Sequence, residues 1–211
     1  MPFELSRFYP ILDTEIAPPH GVDLIFAAGE ILAGGARILQ FRHKGFFSRD
    51  VFATLQRVAS LCRDAGVPFV VNDRADLAVL VGAVLHLGQE DLPPAAARRI
   101  TGPNTIIGFS THNEAQLRAA VAEGTADYLA LGPIFGTVSK ENPDPTVGLA
   151  ELKRLRPLAD RPLVAIGGIT RDNARAVLAA GADSVSVIGD LFAGPGNLRA
   201  RTEEWIAATA G

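Results

Sequence analysis

The stretch "RILQFRHK", residues 37–44, runs from an apolar segment into a polar end. Side chains alternate between the two faces of an extended strand, so Gln40 and Arg42 share one face and Phe41 takes the other. Lys44 continues the spacing of two on the side of Gln40 and Arg42. The stretch therefore predicts a buried strand whose end presents an amide and two cations on one side.

Short apolar runs of the same kind recur along the chain, and polar residues follow each of them. Near-continuous runs of Val, Ile and Leu are typical of strands that are buried on both faces, as in a parallel sheet. Eight such strands are predicted: "FYPIL" (8–12), "RILQFR" (37–42), "PFVVN" (68–72), "VLHLG" (84–88), "TIIGFS" (105–110), "DYLALG" (127–132), "PLVAIG" (162–167) and "SVSVIG" (184–189).

Helical patterns separate the predicted strands, and the clearest covers residues 50–64. Its apolar positions include Leu55, Val58 and Cys62, which lie on one face of a helix. Ser48 precedes this segment as a candidate N-cap. Similar segments end in glycine-containing turns such as "AGGA" (33–36), as expected where a helix stops before a strand.

Alternating strands and helices predict an α/β protein, and the number of units favours a (β/α)₈ TIM barrel. Eight units in 211 residues lie close to the lower size limit of that fold, and we expect a single barrel domain over residues 1–211. The main alternative is a doubly wound open sheet. We prefer the barrel because no glycine-rich dinucleotide fingerprint follows the first predicted strand.

Composition excludes several classes of function. The formal net charge of −3 gives no basic surface for a nucleic acid. The first residues do not resemble a signal peptide, and no run of about 18 uninterrupted apolar residues predicts a membrane span. Cys62 is the only cysteine, which fits a cytoplasmic protein. We expect small-molecule substrates, and the sequence leaves a homo-oligomer open.

Polar residues gather where the predicted strands end, which in a barrel is where the active site lies. Arg42, Lys44 and Lys140 offer positive charge for phosphate oxygens. Asp73 and Asp91 follow neighbouring strands, and carboxylates beside phosphate-binding cations predict an Mg²⁺ site. The long loop 132–148 is predicted to be a lid, and the glycines of "IGGIT" (166–170) and "VIGD" (187–190) a second phosphate site.

Six segments resemble those of the thiamine phosphate synthase family, in the same order along the chain. They are "QFRHK", "NDRADLA", "HLGQEDLP", "GFSTH", "LGPIFGTVSK" and "VAIGGI", and the resemblance spans about residues 8–192. It implies a (β/α)₈ barrel that condenses hydroxymethylpyrimidine diphosphate with hydroxyethylthiazole phosphate. The implied products are thiamine phosphate and diphosphate, formed by an Mg²⁺-dependent dissociative substitution.

The resemblance also implies a role for individual residues. Those expected to bind the pyrimidine diphosphate are Gln40, Phe41, Arg42, His43, Lys44, Asn72, Ser110 and Lys140. Of these, the expected catalytic residues are Arg42, Lys44, Ser110 and Lys140. Those expected to bind the thiazole phosphate are Thr137, Val138, Ser139, Gly167, Gly168, Ile188 and Gly189. Asp73 and Asp91 would hold the Mg²⁺ ion.

Two alternative functions stay open at this stage. A thiazole tautomerase-like barrel would bind only the thiazole phosphate, and would not need the full set of Gln40, Arg42, Lys44, Asp73, Asp91 and Lys140. A non-catalytic phosphometabolite-binding protein would leave the predicted metal pair and lid unexplained. The chain departs from the synthase pattern at Gly189, where serine is usual, and at Gly136, where proline is usual. The sequence does not say whether the thiazole must carry a carboxylate.

Overall fold

The fold is described from a computed structural model, which covers residues 5–17, 22–136, 145–193 and 197–210. Eight parallel strands close into a barrel in chain order, and the last strand pairs with the first. The strands are β1 (Phe8–Asp13), β2 (Leu39–Arg42), β3 (Phe69–Asn72), β4 (Val84–Leu87), β5 (Ile107–Thr111), β6 (Tyr128–Leu131), β7 (Leu163–Ile166) and β8 (Ser184–Val187). The predicted (β/α)₈ barrel is confirmed, and the open sheet is wrong.

Helices follow the strands and form the outer layer. They are α1 (Leu24–Ala33), α2 (Arg49–Asp64), α3 (Ala75–Val81), α4 (Pro94–Thr101), α5 (Glu114–Glu123), α6 (Gly148–Leu155), α7 (Ala174–Ala179), α8 (Gly189–Phe192) and α9 (Leu198–Thr209). A 3₁₀ turn, Arg156–Leu158, follows α6. In the described part of the chain, no helix has the length and apolar character needed to cross a membrane.

Helix α2 shows how local sequence sets the boundaries of an element. The side chain of Ser48 accepts a hydrogen bond from the backbone N–H of Val51, as expected of an N-cap. Leu55, Val58 and Cys62 are fully buried beneath the helix. Gly66 then adopts a positive φ of 67°, which a glycine takes without strain, and the chain turns into β3.

Alternation along the strands divides the core into two layers. A large outer core lies between strands and helices, and it includes Leu39, Phe41 and Val71. A smaller inner core lies inside the barrel and contains Tyr9, Ile38, Val70, Tyr128, Ala130 and Val164. Polar side chains come next along the same inward-facing rows, so the inner core is the floor of the region where the strands end.

Candidate active site

A cavity of about 770 Å³ opens at the carboxyl ends of the strands. Each of the eight strands contributes at least one residue to its wall. In the order β1 to β8, examples are Ile11, Gln40, Asn72, His86, Ser110, Ala130, Ile166 and Ser186. Such a cavity is large enough for a small-molecule ligand of drug size. The strand-end residues that are scattered through the sequence therefore share one site.

The cationic side of the cavity is built on the end of β2. Arg42 lies in register with Asp13 of β1, and the two side chains form an ion pair. Asp13 is 1% exposed, and its other carboxylate oxygen accepts the backbone N–H groups of Glu15 and Ile16. The carboxylate therefore fixes both the guanidinium of Arg42 and the turn that follows β1.

Lys44 and two carboxylates occupy the neighbouring rim. The ammonium of Lys44 lies 2.5 Å from Oδ2 of Asp73, and the backbone N–H of Gly88 donates to Oδ2 of Asp91 at 2.7 Å. The pKa of Asp73 is raised to about 6, because burial and a hydrogen bond with Asp91 raise it more than the neighbouring Lys44 lowers it. The carboxyl groups of Asp73 and Asp91 therefore lie close together, and a bound cation would reduce the repulsion between them.

Backbone geometry holds Asp73 at this rim. Its φ is 65°, in the left-handed region that non-glycine residues rarely adopt. The backbone N–H of Arg74 donates to the carbonyl of Asn72 across it, which closes a tight three-residue turn. Strain of this kind recurs at functional sites, where the surrounding structure maintains it.

Glycines form the opposite side of the cavity, after β7 and β8. Gly167 and Gly168 have positive φ values of 96° and 64°. A Cβ on Gly168 would lie 2.5 Å from the carbonyl oxygen of Gly136, so the loop after β7 packs directly on the segment that follows β6. Gly167, Gly168, Ile188 and Gly189 all line the cavity.

Comparisons with known proteins now assign the family. A family model described as thiamine monophosphate synthase matches residues 8–191. The chain belongs to the thiamine monophosphate synthase family. It is a transferase, as the shared family implies.

Individual relatives agree with the family model over most of their length. The chain is 45% identical over 206 residues to a thiamine-phosphate synthase of Koribacter versatilis, covering 96% of this chain and 95% of the relative. A thiamine-phosphate synthase of Methanoculleus marisnigri is 47% identical over 176 residues, covering 80% and 83%. A solved thiamine phosphate pyrophosphorylase from Pyrococcus furiosus superposes with a TM-score of 0.83 at 34% identity, covering 96% and 95%.

The synthase-family cavity contains most of the residues that the sequence singles out. Gln40, Arg42, Lys44, Asn72 and Ser110 line it, together with both predicted metal ligands, Asp73 and Asp91, and the glycines after β7 and β8. Thr137, Val138, Ser139 and Lys140 lie outside the described residues, as do residues 141–144 of the predicted lid. Gly136 lines the cavity, and a Cβ added there would meet nothing within 4 Å.

The side chains of Phe41 and His43 do not reach this cavity. Phe41 is 1% exposed and packs in the outer core, because alternation turns it away from Gln40 and Arg42. The imidazole Nδ1 of His43 lies 2.7 Å from the hydroxyl of Thr14, outside the cavity wall. The expected contact of these two side chains with the pyrimidine diphosphate is therefore not supported by their placement.

Sequence reasoning missed the polar groups on the cavity floor. His86 lines the cavity, and burial lowers the pKa of its imidazole to about 4, so the ring is neutral near pH 7. Burial also raises the pKa values of Tyr9 and Tyr128, whose hydroxyls stay protonated. Asp13 was detectable as a carboxylate directly after "FYPIL", at the end of the first strand. Tyr9 and Tyr128 sit inside apolar runs, where nothing distinguishes them from packing residues.

Proposed function

We propose that the protein joins an aminopyrimidine diphosphate to a thiazole phosphate, giving thiamine phosphate and diphosphate. The observation that carries the proposal is that one cavity joins the cations at the end of β2 to the glycine turns after β7 and β8. The first group suits a diphosphate, and the second offers backbone N–H groups to a phosphate monoester. Relatives named thiamine-phosphate synthase support the same reaction.

The diphosphate side uses both kinds of cation. Arg42, aligned by Asp13, presents a planar fork that suits two phosphate oxygens. Lys44 adds a point charge that moves from Asp73 to the diphosphate when substrate enters. Lys140 lies outside the described residues and is proposed to act from the loop after β6. Together these residues stabilise negative charge as it develops on the departing diphosphate.

Asp73 and Asp91 are proposed to hold Mg²⁺. They are two carboxylates beside a diphosphate site, and Mg²⁺ commonly takes one or two carboxylates together with substrate phosphate and water. Among the described residues, no group of three or more His, Cys, Asp or Glu side chains could hold a metal by itself. The site therefore fits a metal that arrives with the substrate, and such an ion would neutralise leaving-group charge.

The reaction does not need an activated nucleophile from the protein. The thiazole nitrogen carries its own lone pair, so binding has to align it with the pyrimidine methylene rather than deprotonate it. The aminopyrimidine can delocalise positive charge as the carbon–oxygen bond to diphosphate breaks. We therefore propose a dissociative substitution in which the enzyme positions two rings and stabilises diphosphate.

The decisive experiment is direct synthesis. Purified protein is incubated with both phosphorylated substrates and Mg²⁺, and thiamine phosphate is quantified with and without EDTA. Product that disappears with EDTA is the expected result. Thiazole phosphate binding without any product would instead favour the tautomerase-like or non-catalytic alternative.

A pair of lysine variants tests the assignment of the diphosphate side. Lys44→Ala should lower kcat by at least about tenfold, since it removes a charge from the leaving group. Lys153→Ala, on the exposed face of α6, is the matched control and should retain full activity. Equal activity of both variants would remove Lys44 from the mechanism.

A further inference from the structure

Five side chains from five strands form a continuous hydrogen-bonded chain across the floor of the cavity. Nε2 of Gln40 lies 2.8 Å from the hydroxyl of Tyr9, which lies 3.1 Å from the hydroxyl of Tyr128. The Tyr128 hydroxyl lies 3.0 Å from Nδ1 of His86, and Nε2 of His86 lies 2.9 Å from Oγ of Ser110. Both ends, Gln40 and Ser110, line the cavity.

Packing holds the middle of this chain in place. Tyr9 and Tyr128 are at most 1% exposed, and the imidazole of His86 stacks on the Tyr128 ring with centroids 5.6 Å apart. Gly108 of β5 gives the Tyr128 ring its space, because a Cβ there would lie 2.0 Å from Cζ of Tyr128. The chain is therefore a built feature of the barrel and not a chance contact of mobile side chains.

The donors and acceptors give the chain a direction. The amide of Gln40 donates to Tyr9, and the remaining contacts fit one direction, in which the hydroxyl hydrogen of Tyr9 goes to the oxygen of Tyr128. Tyr128, having accepted from Tyr9, donates to Nδ1 of His86. The hydrogen of the imidazole then sits on Nε2 and is donated to Oγ of Ser110.

We infer that this chain holds His86 as its Nε2–H tautomer and thereby makes the hydroxyl of Ser110 a hydrogen-bond donor towards the cavity. At the other end, Gln40 uses one of its two amide N–H groups on Tyr9 and keeps its carbonyl oxygen as an acceptor for a ligand. Tyr9, Tyr128 and His86 are then positioning residues, since they act on a ligand only through Gln40 and Ser110.

The two ends of the chain have opposite polarity, and this selects a ligand chemistry. A ligand that satisfies the Gln40 carbonyl oxygen and the Ser110 hydroxyl donates a hydrogen bond to the first and accepts one from the second. An aminopyrimidine can do both, since its exocyclic amine donates and its ring nitrogens accept. This identification of the ligand rests on the proposed function, whereas the direction of the chain does not.

The tautomer of His86 can be measured in the free protein. Histidine is labelled with ¹⁵N, and long-range ¹H–¹⁵N correlations report which ring nitrogen carries the hydrogen. The His86 signals are assigned by their loss in His86→Gln. The expected result is the Nε2–H tautomer near pH 7, and the Nδ1–H tautomer or an even mixture would overturn the inference. No substrate is present, so the outcome is independent of the proposed reaction.

A variant pair then links the chain to binding. Tyr9→Phe removes the hydroxyl between Gln40 and Tyr128, and we expect the His86 tautomers to mix. The KM for the aminopyrimidine diphosphate should rise about 3- to 10-fold, the usual effect of one hydrogen bond, with no change for the thiazole phosphate. Ser184→Ala is the control, because it removes a buried hydroxyl of β8 that has no hydrogen-bond partner among the described residues.

Each result of the variant pair has a defined meaning. An unchanged tautomer and unchanged KM values in Tyr9→Phe, with Ser184→Ala behaving as wild type, would overturn the inference. A parallel rise in both KM values would indicate general distortion of the barrel and would also overturn it. If Tyr9→Phe does not fold, the tautomer measured in the wild-type protein decides the question.

Discussion

Arg42 at the end of β2 is held by Asp13 at the end of β1, and the two residues lie in register on adjacent strands. The side chain of Arg42 is 16% exposed, whereas that of Asp13 is almost fully buried. Asp13 thus lies behind the guanidinium as seen from the cavity, and it orients Arg42 without occupying the ligand site. The pair therefore links the stability of the barrel rim to the orientation of a cation that lines the cavity.

Asp13→Asn should lower the stability of the protein and weaken the binding of the pyrimidine diphosphate. It leaves a partly buried guanidinium without its counter-charge, and we expect a loss of roughly 2–3 kcal/mol in the free energy of unfolding, below the 3–5 kcal/mol typical of fully buried pairs. The KM for the pyrimidine diphosphate should rise as well. Urea denaturation and steady-state kinetics measure the two effects. Glu203→Gln, in the exposed pair with Arg199, is the control and should change neither. Unaltered stability in Asp13→Asn would contradict this role.

Asp73→Asn should make the metal-free protein more stable and at the same time less active. Burial and Asp91 raise the pKa of Asp73 to about 6, so the ionised carboxylate destabilises the metal-free protein above that pH. The neutral amide removes this cost, and asparagine tolerates the positive φ of this position. The variant should be more stable than wild type above pH 6, and the difference should vanish towards pH 4, where the wild-type carboxyl is protonated.

Urea denaturation without metal at several pH values tests the expected change in stability. Turnover measured over a range of Mg²⁺ concentrations tests the expected change in activity. Activity should fall strongly and lose its Mg²⁺ dependence if Asp73 is a ligand. A variant with normal Mg²⁺-dependent turnover would refute the metal assignment. A variant less stable than wild type at pH 8 would refute the electrostatic argument.

Gly108→Ala should be severely destabilising. The added Cβ would lie 2.0 Å from Cζ and 2.4 Å from the hydroxyl oxygen of Tyr128, inside a packed barrel floor. Overpacking of this kind costs about 1–3 kcal/mol or more. Gly29→Ala is the comparison, because a Cβ in the middle of α1 meets nothing within 4 Å. It should stabilise the protein by about 0.5–1 kcal/mol. In thermal melting, Gly29→Ala should have the highest Tm, wild type a lower one and Gly108→Ala the lowest.

Cys62 should resist thiol reagents in the folded protein. It is fully buried beneath α2, and burial raises its pKa to about 12. The reactive species is the thiolate, so labelling should stay slow even at pH 9 and become fast in urea. Mass spectrometry after timed alkylation follows both conditions. Rapid labelling of native protein at pH 8 would mean that the helix opens locally.

Much of the fold could be predicted from hydrophobic patterning. All eight strands were expected, because a parallel barrel buries both faces of each strand and leaves uninterrupted apolar runs. The predicted ends of the strands were less accurate than the predicted number of strands. The run at 37–42 predicted a strand from Arg37, whereas β2 begins at Leu39, since backbone pairing with β3 starts at that residue.

The site could be predicted only where polarity marks a strand end. Gln40, Arg42 and Asp73 stand out because a cation, an amide or a carboxylate follows an apolar run. The contact between Tyr9 and Tyr128 joins residues 119 positions apart, on strands that are not neighbours in the barrel. Such a contact depends on the diameter of the barrel and on which side chains meet inside it, and no local pattern encodes either.

The closure of the barrel has a consequence for how the protein is made. β1 pairs with β8, and the ring of Phe8 stacks on Trp205 of α9 with centroids 5.4 Å apart. Tyr9, which belongs to the cavity floor, therefore lies in the first strand of the barrel to be synthesised, whereas its neighbour on that side, Ser186, lies in the last. Until β8 and α9 have been synthesised, β1 lacks the partners that cover its apolar side chains on that side. A product that ends before β8 would lack the strand that closes the barrel beside β1, so it would have an incomplete cavity and would be a natural client for chaperones.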